Sequence, residues 1–111
     1  MTAATSKTEL GVPSTQEGMY GLSLEDMTEI CGRVAGFVAA WDDDLKTQFE
    51  HEQGDMIIDS AIGLFVLTLL TEEFPQDLID FTAIDPGQWQ TLGGVASIVY
   101  EAVQSYRASH E

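Results

Sequence analysis

The chain has 111 residues, enough for one domain with one modest core, and its apolar content is ordinary. Its charge is not: four Lys and Arg stand against nineteen Asp and Glu, a net charge of −15. Such a field repels phosphate backbones and argues against a nucleic-acid partner, while it suits enzymes with basic docking faces and also keeps a chain in solution.

Cys31 is the only cysteine, which excludes an intrachain disulfide. Lys7 is not followed by the apolar segment of a secretory signal, so a cytoplasmic location is the default. Residues 1–22 are rich in Thr, Ser, Ala and Gly and are expected to form a disordered leader, with Met19, Tyr20 and Leu22 as its only candidates for docking. The folded domain is expected over 23–111.

Ser23-Leu24-Glu25-Asp26 reads as a helix-opening capping box, with Asp in the place of the usual Glu. Leu24, Met27, Ile30 or Cys31, Val34, Phe37, Val38 and Trp41 then recur at three- and four-residue spacing, one apolar stripe of a helix ending near Trp41. Asp42-Asp43-Asp44 is expected to be a solvated acidic turn. A calcium loop fails there, because Lys46 and Thr47 stand where a ligand and a glycine are needed and Gln53 is not the closing Glu. Residues 42–58 are expected as a long loop, anchored by Leu45 and Phe49 and returned to the core by Met56, Ile57 and Ile58. His51 has no second ligand nearby for a metal site.

A second helix is expected from Ser60 to Phe74. Asp59 and Ser60 offer side-chain oxygens to its orphan N–H groups, and Pro75 ends it. The run is too short to cross a bilayer, which needs about 20 apolar residues, so no membrane partner is expected. It is apolar almost all round and wants neighbours on several sides, leaving part of its surface for a partner protein. Leu78, Ile79, Phe81 and Ile84 are apolar enough to lie on the bundle. Asp85 caps a short turn that opens with Pro86, and Trp89 reads as a core residue. Thr91 caps a last helix with the stripe Leu92, Val95, Ala96, Val99, Ala102, Val103 and Tyr106. No β-pattern competes. The fold class is all-α, a small bundle of three main helices plus one short one.

Self-sufficient catalysis is not expected. His51 and His110 are the only imidazoles, neither in a triad arrangement, and the chain has no Gly-x-Ser-x-Gly elbow or phosphate-binding glycine loop.

Asp59-Ser60, the ungapped run to Glu72-Glu73-Phe74, then Asp80-Phe81 and Trp89-Gln90-Thr91-Leu92 resemble the acyl carrier protein family, with some similarity to D-alanyl carrier proteins. The resemblance covers about residues 23–106. It implies an acyl-carrier-like bundle in which Ser60 attacks the β-phosphate of coenzyme A and keeps a 4'-phosphopantetheine arm. Asp59 would support Ser60, and Ala61, Leu64, Phe65, Glu72 and Glu73 would belong to the partner-docking surface, with solvated surface charge as the equal alternative for Glu72 and Glu73. The implied partners are a phosphopantetheinyl transferase, a loading ligase or synthase, and a downstream acyltransferase or condensing enzyme, served by a monomeric shuttle. Ala61 stands where the family has Leu or Met, and Phe65 where many carriers have a docking glutamate. The first helix and loop are also longer. These departures leave room for a specialised carrier with its own enzymes, and equally for a degenerate carrier that is never modified. The alternative is an acidic helical adaptor that binds a protein partner through Phe65 and its neighbours, without a prosthetic group.

Overall fold

A computed structural model describes residues 10–110, which are mostly helical. Five α-helices follow one another: α1 Gln16–Tyr20, α2 Leu24–Val38, α3 Asp43–Glu52, α4 Ser60–Leu70 and α5 Leu92–His110. Short 3-10 turns span Gln53–Asp55 and Pro86–Trp89. Among the described residues there is no strand, only an isolated antiparallel bridge between Ile57 and Thr91. The all-α class holds, and α1 and α3 are additional to the helices expected.

Local chemistry sets the helix starts. The Ser23 hydroxyl accepts from the Asp26 N–H at 3.0 Å, and the Asp26 carboxylate accepts from the Ser23 N–H at 3.2 Å, the reciprocal box that opens α2. Asp85 and Gln88 form the same device around the second 3-10 turn, with Pro86 at its first position. The Thr91 hydroxyl accepts from the Gly94 N–H at the start of α5.

The core lies where α2 and α5 pack along each other and α4 closes against both. α2 contributes Met27, Ile30, Cys31, Val34 and Ala35; α4 contributes Val66, Leu67 and Leu70; α5 contributes Leu92, Val95, Ala96, Val99 and Val103. Each large aliphatic side chain so buried is worth roughly 1.5–3 kcal/mol, so these three stripes dominate the stability.

Four expectations are corrected. First, residues 10–22 are packed: Val12 and Met19 are buried, and the Tyr20 ring meets Phe74. The Gln16 amide donates to the Glu73 carbonyl at 2.7 Å, and the Gln104 amide donates to the Tyr20 carbonyl. Residues 1–9 of the expected leader lie outside the described residues. Second, Asp42 to Asp44 do not trail a helix but open one. The Asp42 carboxylate accepts from the Leu45 N–H at 2.9 Å, and Asp43 and Asp44 occupy the first turn of α3, where the helix dipole favours negative charge.

Third, α2 stops at Val38. The Trp41 N–H turns back to the Gly36 carbonyl and the Ala40 N–H to the Phe37 carbonyl, a Schellman closure with Ala40 in the left-handed region at φ 53°. Fourth, α4 ends at Leu70, one turn before the expected Phe74. The Thr71 hydroxyl donates to the Leu67 carbonyl, and the Thr71 and Glu72 N–H groups tighten onto residues three back. The turn delivers Phe74 into the core, edge-on to Tyr106 with ring centres 5.2 Å apart.

Candidate functional site

The entrance of α4 is built by the extended segment before it. Met56 and Ile58 are buried, while Ile57 between them is 76% exposed, as side chains alternate along extended backbone. The Leu92 N–H donates to the Met56 carbonyl at 3.1 Å and the Ile58 N–H to the Gln90 carbonyl at 2.7 Å, tying this segment to the start of α5. Ile57 was expected in the core; its exposure is a correction, legible only once the segment is known to be extended.

Asp59 is the N-cap of α4. Its carboxylate accepts from the Ala61 N–H at 2.8 Å, and Ser60 is the first helical residue. Ser60 is exposed, and among the described residues its hydroxyl has no hydrogen-bond partner. The cap is therefore made by Asp59, which leaves the Ser60 hydroxyl free for other chemistry.

Gly63 decides how α4 is seated. A Cβ there would collide with the Trp89 carbonyl oxygen, so only glycine lets α4 approach the second 3-10 turn this closely. Trp89, 8% exposed, is the core residue expected, and Phe81 packs edge-on to it. Nothing in the apolar pattern of α4 marked Gly63 as a contact; it stands there as a helix-weakening residue, the one available signal.

By the 3.6-residue period, Ser60, Ala61, Leu64, Phe65 and Thr68 share one side of α4, and Gly63, Val66, Leu67 and Leu70 the other. The first set is exposed and the second buried. Leu64 is 42% and Phe65 50% exposed, and no charge occurs from Ser60 to Leu70. The structure thus gathers Asp59, Ser60, Ala61, Leu64 and Phe65, with Ile57 alongside the helix entrance. Glu72 and Glu73 are exposed just beyond the other end of α4, which rises about 15 Å from Ser60 to Leu70. They do not belong to the cluster around Ser60.

The electrostatics around Ser60 are simple. All described carboxylates are outside the core, and His51 lies exposed on α3. In the connection to α5, Asp80 is held below the usual carboxylate range by the Thr82 hydroxyl and N–H, which donate to it at 2.5 and 3.0 Å. Burial pushes the Cys31 thiol up to about 12, which keeps it protonated and inert at neutral pH. Among the described residues no group of His, Cys, Asp or Glu is arranged to hold a metal, and no helix is long and apolar enough to cross a membrane.

An accessible primary hydroxyl at a helix N-terminus suits a group that carries a phosphate, because the helix dipole favours negative charge there. The first turn of α4 contains no acidic residue. No family model, no curated protein and no solved structure matches the chain.

Proposed function

We propose that this is a free-standing acyl or aminoacyl carrier protein, with Ser60 as the attachment point of a 4'-phosphopantetheine arm. The observation that carries the proposal is the exposed, unpartnered Ser60 hydroxyl as the first residue of an eleven-residue uncharged helix, joined to the sequence pattern around it. In the attachment step the Ser60 oxygen bonds to the β-phosphorus of coenzyme A. The bond from that phosphorus to the bridging pyrophosphate oxygen breaks, adenosine 3',5'-bisphosphate leaves, and a base on the transferase takes the serine proton.

When attached, the arm supplies a thiol that holds an acyl or aminoacyl group as a thioester. The chain's own part is positional. Asp59 holds the first turn through the Ala61 N–H, and the α4 dipole favours the phosphodiester. Ile57, Leu64 and Phe65 offer partner enzymes an apolar surface next to the serine. Because that surface is uncharged, docking on it would be less salt-sensitive than docking on an acidic helix. The chain performs no bond-breaking itself and relies on the transferase, the loading ligase or synthase, and the acceptor enzyme.

The test is intact mass after incubation with coenzyme A, Mg²⁺ and a broad-specificity phosphopantetheinyl transferase. The parent should gain one phosphopantetheine and Ser60→Ala none. A gain in Ser60→Ala would overturn the assignment of the site. No gain in a folded parent with several transferases would favour the second reading, an adaptor without a prosthetic group, which the exposure of Ile57 and Phe65 supports. The adaptor reading requires that Phe65→Ala abolish a protein complex that Ser60→Ala leaves intact.

A further inference from the structure

Of the residues of α3, all but Phe49 are exposed, and Leu45, its other apolar residue, is among them. Among the described residues no hydrogen bond or ion pair ties α3 to another helix. Asp42 caps it through the Leu45 N–H, the Thr47 hydroxyl donates to the Asp43 carbonyl, and the Gln53 N–H closes on the Phe49 carbonyl. Charge does not hold it either. α3 carries Asp43, Asp44, Glu50 and Glu52 against Lys46; the facing part of α2 carries Glu25 and Glu29 against Arg33, whose guanidinium is taken by Glu29 at 2.6 Å. Glu25, Glu29 and Glu50 line one cleft between the two helices. What pins α3 is the Phe49 ring. It lies over Gly32 of α2, where a Cβ would strike it, and meets the Trp41 ring at 6.0 Å.

The ends of α3 are strained. Among the described residues, the only ones other than glycine with positive φ are Ala40 at 53° and Gln53 at 46°, and they bracket this helix. A side chain is disfavoured at such angles, so the closed position carries a backbone cost on both sides that release would relieve. The segment that follows is fixed by contrast: Met56 and Ile58 are buried and joined through the backbone to Leu92 and Gln90. We propose that α3 is a lid held by a single ring. It leaves the bundle and melts as one unit, from Asp42 to Gln53, while α2, α4 and α5 stay packed. Once off α2 it does not persist as a helix, since isolated helices shorter than about 12–15 residues are marginal in water. Opening bares the Gly32 side of α2 and the Phe49 ring, and it stops at Met56, short of the α4 entrance. The lid does not depend on Ser60 being modified.

Native-state hydrogen exchange of the full ¹⁵N-labelled chain, in urea too dilute to unfold it, tests the lid. The α3 amides should share one opening, exchange at least about tenfold faster than the buried amides of α5, and respond weakly to urea, because a lid exposes little surface. Phe49→Ala should speed α3 exchange by roughly tenfold to a hundredfold. Gly32→Ala should also speed it, by pushing the ring off from the other side; the gain in α2 helix propensity is common to the open and closed states and cancels. Val99→Ala, in the core of α5, should speed α5 exchange roughly tenfold and leave α3 unchanged, because the open state keeps that core. Where Val99→Ala is too unstable to record, the urea dependence in the parent decides. If α3 and α5 amides move together in Val99→Ala and share one urea dependence, α3 opens only in global unfolding and the proposal fails. It fails equally if α3 exchange is graded from the helix ends and indifferent to Phe49→Ala, which is the pattern of fraying.

Discussion

Gly63→Ala tests how the helix that begins with Ser60 is seated. Gly63 is buried in the first turn of α4. The added methyl would meet the Trp89 carbonyl oxygen, and would lie 3.2 Å from Trp89 Cδ1 and 3.4 Å from the Trp89 carbonyl carbon. These neighbours are backbone and a core indole, so no flexible side chain can yield. Two effects oppose each other. Ala is the better helix residue by about 0.8–1 kcal/mol. Forcing a methyl into packed structure costs about 1–3 kcal/mol, and a backbone neighbour puts this case at the upper end. The net expectation is a destabilisation of about 1–2 kcal/mol, or a fall of about 4–16 °C in Tm for a domain of this size. Thermal and urea melts followed by circular dichroism measure it. Gly87→Ala is the control: the nearest atom to a Cβ there is Asp85 Oδ1 at 3.6 Å, and the change should stay within about 0.5 kcal/mol. A Gly63→Ala protein as stable as the parent would refute the close approach of α4 to Trp89.

Ala40→Gly should stabilise the chain by about 0.5–1 kcal/mol in urea melts, because glycine removes the cost of φ 53° at the Schellman position and gives back only part of it as unfolded-state entropy. Ser23→Ala should cost about 1 kcal/mol by the same assay, through loss of the capping box. Iodoacetamide should leave Cys31 unmodified in the folded protein and alkylate it on unfolding. The folded thiol keeps its proton while the unfolded one ionises near the ordinary 9.0, so stability falls as pH rises from there towards about 12, and Cys31→Ala should lose that part of the slope. In an NMR titration Asp80 should lose its charge below the ordinary 3.8, and Thr82→Val should move the titration back up towards it.

The helix stripes and caps were legible in the sequence because they depend on residues a few positions apart. Ser23 with Asp26, Asp85 with Gln88 and Thr91 with Gly94 bond within three residues, and the buried stripe of α5 and the middle of that of α2 follow from 3.6-residue spacing, whereas Leu24, Phe37 and Val38 of the expected α2 stripe are exposed. The Asp59-Ser60 entrance was legible for the same reason. What stood open was which of two oxygens makes the cap, and the chain gives that to Asp59. The acidic triplet was readable in composition but not in direction, since negative charge is unfavourable at one helix's end and favourable at the next one's start.

The rest required contacts between distant segments. Phe74 leaves the helical run because Tyr20 and Tyr106, far away in sequence, make a place for its ring. Ile57 turns outward because its segment is bonded to residues 90–92 as extended backbone. Phe65 and Leu64 stay exposed because α2, α5 and the second 3-10 turn cover only the opposite side of α4. The sequence by itself determined which residues can begin and end helices, and which apolar residues share a stripe. The tertiary structure alone decided which side of an almost wholly apolar helix is left in water, because periodicity cannot rank the sides of a helix that is apolar on all of them.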